Sequence, residues 1–239
     1  AFDGATGSVL WKNTTAYAPA ARIAFSTPCI SPSMVIVGSR GTNGAIRGFE
    51  KGTGKNTATA TPANGGGTSG TIALKNGVVI FTNTAQYGYG IMVPDASFVW
   101  SPVPTSDTFA PNKILSAGRC QPCVDADNCV YLPGKIKEGS GGSWNIACFD
   151  CTNLTASSTK TPKWSVAVPD GFVQGGASLS ADGQTLYIVA DAATPSTVYA
   201  LSTSNGSTVW SYPLDAHCNS VPAVDNLGQV HVATETGHY

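Results

Sequence analysis

Short runs of apolar residues, rich in β-branched and aromatic side chains, recur along the chain between polar turns. They occupy residues 34–37, 78–81, 130–132, 186–189 and 230–233. Turn residues precede several runs, among them Asn76-Gly77, Asp182-Gly183 and the segment from Asp125 to Asn128. Such residues favour tight hairpins, because glycine and asparagine tolerate the positive φ that the turn needs. Since long amphipathic helical patterns are scarce, the sequence predicts an all-β fold of short strands.

A longer pattern, in which a strand end leads through a turn to a returning strand that ends in tryptophan, is superimposed on these runs. Its clearest copy extends from Phe2 to Trp11, and others cover residues 48–58, 148–164 and 200–210, with a shortened copy at 93–100. The last residues of the five copies are Trp11, Ala58, Trp100, Trp164 and Trp210. They are separated by 47, 42, 64 and 46 residues. Repeat periods of about 40 to 50 residues are typical of β-propeller blades.

These copies divide the 239 residues into about five blades of one domain. The predicted units are residues 12–58, 59–100, 101–164, 165–210, and 211–239 completed by 1–11. In this interpretation a blade shared between the two ends closes a five-bladed ring, which leaves no sheet edge open. The alternative is that the chain forms part of a larger propeller. The 64-residue interval contains a Gly- and Ser-rich insertion at 135–143, which we expect to project as a loop.

The motif at residues 1–11 resembles the tryptophan-docking motif of the PQQ-like, quinoprotein-type β-propellers, and residues 199–210 are similar. In that family the tryptophan packs against the neighbouring blade. The resemblance implies this structural role for Trp11, Trp100, Trp164 and Trp210. Ala58 departs from the motif, so the resemblance does not extend the docking role to the second copy.

Quinoprotein dehydrogenases of this family bind PQQ and Ca²⁺ in a central funnel, through an adjacent-cysteine disulfide and carboxylate and amide ligands, and use a catalytic aspartate. This chain has no adjacent Cys-Cys pair. It also has about five units where those enzymes have about eight blades. The resemblance therefore favours a non-enzymatic scaffold without a cofactor. A PQQ-dependent oxidoreductase, or a fragment of one, is the alternative, and only that alternative includes PQQ and calcium.

Charge and hydropathy exclude two classes of partner. Only 11% of the residues are charged and the net charge is −1, so the chain lacks the basic surface that nucleic-acid binding requires. No apolar run approaches the roughly 20 residues that a membrane-spanning helix needs.

Seven cysteines and three glycosylation sequons, at Asn13, Asn153 and Asn205, predict a secreted or cell-surface glycoprotein. Two C-x-x-C pairs, Cys120 with Cys123 and Cys148 with Cys151, have loosely the layout of a Cys₄ zinc site. We favour disulfides instead, because Cys123 and Cys129 flank a short turn where facing positions suit a cross-strand bridge, and Cys148 and Cys151 can close a small loop.

The search for catalytic groups gives no assembled site. The three histidines lie outside recognisable nucleophile motifs, and we expect His231, within an apolar run, to be packed or hydrogen-bonded rather than a ligand. The segment from Asp125 to Asn128 lacks the glycine and distal glutamate of an EF-hand loop, so it is interpreted as a turn. The glycine-rich residues 64–70 have no following Walker lysine, which favours a turn over a phosphate loop.

We therefore expect a non-catalytic extracellular β-propeller that acts as a binding, adhesion or assembly scaffold for a protein or carbohydrate ligand, alone or within a larger chain or assembly. Tyr87, Tyr89 and Trp144 lie near glycine-rich stretches and are candidates to stack on a sugar ring or a neighbouring protein. Ordinary packing is the alternative for these three aromatic residues.

Overall fold

The computed structural model describes residues 1–14, 27–39, 45–60, 73–75, 78–82, 88–92, 114–115, 121–138, 141–152, 161–169, 171, 173, 175–191 and 195–237. Regular structure in these residues consists of eighteen β-strands. The pairings between named strands are antiparallel. In the same residues, no helix has the length and apolar character that a membrane crossing requires. The predicted all-β class is confirmed.

The strands form five sheets that follow one another along the described chain, and within each sheet neighbouring strands are mostly consecutive in sequence. The first sheet contains β1 (Cys29–Ile30), β2 (Met34–Gly38), β3 (Ile46–Glu50) and β4 (Asn56–Ala60), and the second contains β5 (Ala73–Lys75), β6 (Val78–Thr82) and β7 (Gly88–Met92). The third contains β8 (Ile114–Leu115), β9 (Cys123–Val124), β10 (Cys129–Glu138), β11 (Gly141–Asp150) and β12 (Pro162–Ala167). The fourth contains β13 (Ala177–Leu179), β14 (Thr185–Ala190), β15 (Thr197–Ser202) and β16 (Thr208–Pro213), and the fifth contains β17 (Ala223–Val224) and β18 (Val230–His231).

The five apolar runs lie in β2, β6, β10, β14 and β18, as the hydrophobic pattern predicts. Described turns before these strands also have the expected chemistry. Gly183 and Gly228 have φ of 72° and 81°, and Asn128 has φ of 62°. An L-residue with a larger side chain is strained in this conformation, so glycine and asparagine determine where these hairpins turn back.

The described residues of the insertion, 135–138 and 141–143, lie in strands, which corrects the expectation of a projecting loop. β10 and β11 continue through it as a long hairpin, with Lys135 opposite Trp144 and Glu138 opposite Gly141. β8 pairs with the same extension. Antiparallel pairing satisfies the backbone N–H and C=O groups of the segment, which outweighs the low strand propensity of its Gly and Ser residues.

Three sheets share an irregularity just before the turn that leads to their last strand. The register shifts between Gly48 and Phe49, between Cys148 and Phe149, and between Ala200 and Leu201. In the first and fourth sheets the turn that follows is closed by equivalent backbone hydrogen bonds, from Gly54 to Glu50 and Glu50 to Lys55, and from Gly206 to Ser202 and Ser202 to Ser207. A bulge increases local twist and redirects the strand. Its repetition here places a glycine turn at the same point of both blades.

Successive sheets pack face to face, so the strands in the middle of the array are buried on both faces. Leu186, Ile188 and Leu201 of the fourth sheet share one core cluster with Tyr131 and Ile146 of the third. The opposite face of the fourth sheet contributes Val189 and Val198, which pack with Cys218, Leu214 and Val232 beside the fifth sheet. Successive side chains of a strand point to opposite faces of the sheet, so the same strands of the fourth sheet pack against the third sheet on one face and beside the fifth sheet on the other.

Two tryptophans connect successive blades through a common contact, which we call the docking contact. The indole N–H of Trp11 donates to the carbonyl of Lys51 at 2.8 Å, and that of Trp164 donates to the carbonyl of Thr203 at 2.9 Å. The Trp11 ring lies over Gly54 and the Trp164 ring lies over Gly206, and in each turn the glycine is three residues after the carbonyl acceptor. Each ring occupies the place where a Cβ atom on that glycine would be. Trp100 lies outside the described residues.

The pairing that would close a five-bladed ring is not present among the described residues. Residues 1–11 form their own small hairpin, in which Phe2 and Val9 make an isolated antiparallel bridge. β18 is paired with β17 alone. The described residues therefore form four blade-like sheets followed by a two-stranded sheet. A closed five-bladed ring and a part of a larger propeller both remain predictions.

The docking contact predicts that Gly206→Ala destabilises the fold more than Gly183→Ala. Both glycines have positive φ, of 76° and 72°, so both substitutions incur the conformational cost of about 1 kcal/mol. Only at residue 206 does the new Cβ also meet the Trp164 ring, 2.7 Å away, whereas nothing lies within 4 Å at residue 183. Overpacking typically adds about 1–3 kcal/mol. Urea unfolding of both variants checks the difference, and equal losses would contradict the docking contact.

Candidate functional site

The last strand of the fourth sheet borders an open apolar cleft. β16 is exposed along its whole length, with Trp210 41% exposed and Tyr212 65% exposed. The cleft between β16 and β18 has a volume of about 550 Å³ and is lined by Val198, Trp210, Ser211, Tyr212, Leu214, Val230 and Val232. We call it the Trp210 cleft. Exposed aromatic side chains beside aliphatic ones are typical of surfaces that a partner covers.

The cleft is open because the neighbouring sheet is short. Trp210 and Trp164 occupy equivalent places, since each ring centroid lies 5.9 Å from that of a tyrosine in its own sheet, Tyr187 or Tyr131. Trp164 also has the Gly206 turn of the next blade above it. The fifth sheet has two strands of two residues each, and within the described chain no such turn reaches Trp210.

Residues 1–11 present the complementary half of a docking contact. Their turn is closed like the two docking turns, by hydrogen bonds from Gly7 to Asp3 and from Asp3 to Ser8. Gly7 has φ of 71°, and nothing lies within 4 Å of a Cβ placed there. Phe2 is 72% exposed, whereas Phe49 and Leu201, at the equivalent positions, are each 4% exposed. This hairpin therefore has an apolar face and a glycine turn that no described tryptophan covers.

A buried carboxylate joins two loops near the same end of the fourth sheet. Asp191 is buried, and its Oδ1 accepts a hydrogen bond from the hydroxyl of Ser196 at 2.6 Å and lies 2.7 Å from Nδ1 of His217. The backbone N–H of Cys218 donates to the Ser196 hydroxyl at 3.0 Å. A hydrolytic triad needs the histidine between serine and aspartate. Here the aspartate is in the middle, so the cluster fixes the loops rather than activating a nucleophile.

The cluster shifts the pKa of both partners. Burial acts to raise the pKa of Asp191, but hydrogen bonds from His217 and Ser196 outweigh it and hold the pKa below its usual value of 3.8. The hydrogen bond to Asp191 raises the pKa of His217 above 6.5, with the charges of Asp191 and Glu235 adding to the effect. The paired, charged form is therefore favoured in weakly acidic solution.

The described cysteines form no disulfides, and the strand register differs from the one that the predicted bridge between Cys123 and Cys129 assumed. Cys123 lies opposite Tyr131, whereas Cys129 lies opposite Asp150 in β11 and hydrogen-bonds to Asp125. The two cysteines are thus diagonal neighbours in the register of β9 and β10, not the directly opposite residues that the sequence spacing suggested. Cys148 and Cys151, the other predicted pair, are likewise thiols. Cys120 lies outside the described residues.

The turn at Asp125 is held by protein groups on both carboxylate oxygens. Oδ1 accepts the backbone N–H of Cys129 at 2.8 Å, and Oδ2 accepts the hydroxyl of Tyr131 at 2.7 Å. These contacts support the hairpin interpretation over the calcium loop. Throughout the described ranges, no group of three or more His, Cys, Asp and Glu side chains is placed to hold a metal ion. His231 is hydrogen-bonded, as expected, with Nε2 lying 3.1 Å from Oδ2 of Asp225.

The sequon asparagines have different surroundings. Asn13 donates its side-chain amide to the carbonyl of Gly54 at 2.8 Å. Asn205 lies exposed in the Gly206 docking turn, where its side-chain oxygen accepts the backbone N–H of Ser207 at 2.9 Å. Asn153 and Tyr87 are outside the described residues. Tyr89 is in β7 and Trp144 is in the extended hairpin.

Sequence reasoning assigned a ligand to none of the residues of the Trp210 cleft and did not find the Asp191 cluster. The complete motif that ends at Trp210 predicts that this tryptophan packs against a neighbouring blade. Its side chain is exposed instead, because no turn covers it in the described residues. Asp191 and His217 are 26 residues apart. No local motif connects them, since the contact depends on how two loops meet.

Comparisons with known proteins support the propeller fold. Residues 145–239 match a family described as outer membrane protein assembly factor BamB. A search of curated proteins finds no match. Among solved structures, the chain is similar to the Dos1 propeller, with 12% identity, a TM-score of 0.64, and coverage of 87% of this chain and 52% of that one. The chain thus spans about half the length of that structure.

Two further solved structures, both from bacteria, are similar to the chain. BamB from Moraxella catarrhalis has 14% identity and a TM-score of 0.53, over 97% of this chain and 76% of BamB. PorZ of Porphyromonas gingivalis, described as an essential bacterial surface component of the type-IX secretion system, has 14% identity and a TM-score of 0.58, over 87% of this chain and 31% of PorZ. At these identities the likeness establishes the fold.

The Asp191 cluster predicts a pH-dependent contribution of His217 to stability. Because the folded pKa of His217 is raised, its contribution is complete below about pH 6.5 and is lost as the pH rises through the folded pKa. The lowered pKa of Asp191 preserves the pair down to about pH 4. We expect the stability advantage of the wild type over His217→Gln to be largest between these limits and to shrink by pH 9, measured by urea unfolding.

His231→Gln is the matched control. The His231 side chain is 55% exposed and its partner Asp225 is 31% exposed, whereas Asp191 is only 3% exposed, so solvent screens the His231 pair more. The difference between the wild type and this variant should change little over the same range. An equal pH dependence for the two variants would argue against a special contribution of the Asp191 cluster.

Proposed function

We propose that this chain, a β-propeller of PQQ-like repeats, is a non-catalytic scaffold that works outside the cytosol and assembles with a protein partner through the Trp210 cleft. The observation that carries the proposal is the exposed Trp210 beside Tyr212 and the edge strand β18. The same structural position in the preceding sheet, Trp164, is covered by the next blade. The cleft therefore has the chemistry of an interface with one side missing.

The docking contacts of the chain define what the partner must present. Trp11 and Trp164 each take a turn with a positive-φ glycine and a carbonyl acceptor three residues earlier. The Trp210 cleft offers the same indole donor, and β18 offers backbone groups that can pair with an added strand. We infer that the partner inserts a β-hairpin with such a glycine turn. The apolar lining favours a protein over a carbohydrate, since sugar sites need polar groups beside the aromatic ring.

Several features support a location outside the cytosol. Seven cysteines and three sequons are typical of secreted proteins. BamB and PorZ, which share the fold, are described as an outer membrane assembly factor and a surface component of a secretion system. We propose glycosylation at Asn205 in preference to Asn13, because the Asn13 amide nitrogen that would carry the glycan is hydrogen-bonded to Gly54. No described residue favours the PQQ-dependent alternative, so the proposal includes no cofactor.

Photocrosslinking tests the proposed interface. Tyr212 is replaced by benzoylphenylalanine, and the protein is irradiated in the secreted fraction of the organism that makes it. We expect a cross-link that maps, by mass spectrometry of the linked peptide, to a β-hairpin with a glycine turn. Adding Trp210→Ser should lower its yield at least about tenfold, because truncating a buried interface tryptophan commonly costs about 2 kcal/mol or more.

The control places the same photoreactive residue at Leu227, which is exposed on the turn before β18 and does not line the cleft. Equal cross-linking at residues 212 and 227 would argue against the interface. A cross-link to residues 1–11 would identify the chain's own hairpin as the inserted element, and the mass of the product would separate ring closure from a second copy. Dye-linked oxidation of alcohols or sugars after addition of PQQ and Ca²⁺ would overturn the non-catalytic assignment.

A further inference from the structure

Cys129 and Cys148 lie side by side in the core of the third sheet. In the register of β10 and β11, Cys129 is opposite Asp150 and Tyr131 is opposite Cys148. The two cysteines are therefore diagonal neighbours on one face of the sheet, and both are buried in the same cluster as Tyr131. Burial, followed by the interaction with Cys129, raises the pKa of Cys148. A disulfide needs Cβ atoms about 3.5–4.5 Å apart, and diagonal neighbours on one face of a twisted antiparallel pair are close enough for their side chains to interact.

A lysine stands beside this thiol pair. Nζ of Lys163 donates to Sγ of Cys129 at 3.3 Å. Lys163 lies at the bulge between β11 and β12. Its neighbours Pro162 and Trp164 pair with Phe149 and Cys148, so Lys163 itself has no opposite residue in β11. The contact with Cys129 raises the pKa of Lys163, which preserves the ammonium charge. A neighbouring cation stabilises a thiolate, and the thiolate is the form that attacks a disulfide.

We propose that Cys129 and Cys148 form a cross-strand disulfide when the protein folds in an oxidising compartment, and that the Lys163 ammonium, which donates to Sγ of Cys129, promotes it. This pairing differs from both pairings that the sequence spacing suggested. The third sheet would then be covalently closed across β10 and β11, at the face that the fourth sheet covers.

The oxidant is a low-molecular-weight disulfide such as oxidised glutathione. The Cys129 thiolate attacks one sulfur of the oxidant, whose S–S bond breaks and releases one glutathione thiolate. The Cys148 sulfur then attacks Cys129 in the mixed disulfide and releases the second glutathione. One S–S bond is broken and one is formed, and the two protons lost by the cysteines end on two glutathione thiols.

Burial determines when this exchange is fast. It raises the pKa of Cys148 to about 12, the contact with Cys129 acts in the same direction, and the charge of Lys163 opposes the rise. In the finished core the Cys148 thiol is thus protonated and shielded from the oxidant. We expect the bond to form while the third sheet is paired but not yet covered by the fourth.

The other thiols nearby have different surroundings. Cys123 pairs across from Tyr131 on the opposite edge of β10, and burial followed by the charge of Asp125 raises its pKa to about 11. Cys151 lies beyond the end of β11, where its backbone N–H donates to the carbonyl of Asn128. Among these thiols, Cys129 is the one to which the Lys163 ammonium donates, and we assign it the attacking role for that reason.

Disulfide mapping tests the proposal directly on the whole chain. The protein is refolded in a glutathione redox buffer, remaining thiols are blocked with N-ethylmaleimide under denaturing conditions, and the digest is analysed by mass spectrometry. We expect a linked peptide pair containing Cys129 and Cys148, about 2 Da lighter than the sum of the reduced peptides because two hydrogens are lost. The link should persist in Cys123→Ser and in Cys151→Ser. A link from Cys123 to Cys129 or from Cys148 to Cys151, or labelling of both Cys129 and Cys148, would overturn it.

The role of Lys163 has its own measurement. Lys163→Met should slow formation of the link severalfold during refolding, because Sγ of Cys129 loses the ammonium group that donates to it. Lys55→Met is the matched control, since Lys55 is exposed in the turn between β3 and β4 and its substitution should leave the rate unchanged. Equal rates in the two variants would remove Lys163 from the proposed mechanism. Because the rate is followed by alkylation and mass, it remains measurable even if a variant is less stable.

Discussion

The contact of an indole ring with a glycine that lacks a Cβ atom is the constraint on which this architecture depends. The ring needs a flat surface, so the turn beneath it must contain glycine, and the positive φ of the turn makes the same demand independently. The indole N–H then finds a carbonyl three residues earlier in the turn. One residue type thus satisfies the steric, conformational and hydrogen-bonding requirements of a blade junction. The bulge that precedes the turn recurs because it aims the turn at the ring.

The buried core follows from this arrangement of junctions. A small antiparallel sheet has two faces, and each face of the fourth sheet is covered by a different neighbour. Where the neighbour is incomplete, apolar residues that would otherwise be core remain in contact with water, as at Trp210 and Tyr212. The candidate interaction surface is therefore ordinary blade-facing surface in an uncovered position. Its chemistry explains why a protein element of similar shape suits it better than a polar ligand.

The sequence predicted features that depend on neighbours along the chain. The apolar runs identified strands, and the turns at Asp182-Gly183 and Asp125 to Asn128 were recognised from residues that accept positive φ. Features that depend on how strands align were less accessible. The cysteines flanking the Asp125 turn suggested facing positions, but the register makes Cys129 a diagonal neighbour of Cys123 in β9 and of Cys148 in β11. The Gly- and Ser-rich insertion suggested a loop, yet pairing partners on both sides of β10 made it a sheet.

The candidate site shows the same division. The motif that ends at Trp210 identified a blade-facing tryptophan, but whether a turn covers it depends on the next sheet. The Asp191, Ser196 and His217 cluster joins two loops whose meeting depends on the packing of the fourth and fifth sheets. Their residue types are common in turns, so only the three-dimensional contact distinguishes them from solvent-exposed loop residues.

Each blade junction has a direction, because the tryptophan is on one side and the glycine turn on the other. A surface of this kind cannot pair with an identical copy of itself about a two-fold axis, since two rings would meet without a turn between them. Association through it is necessarily head-to-tail, and head-to-tail contacts produce either closed rings or open filaments according to the rotation between units. The handedness and angle of one tryptophan–glycine contact would therefore determine whether assembly stops or continues.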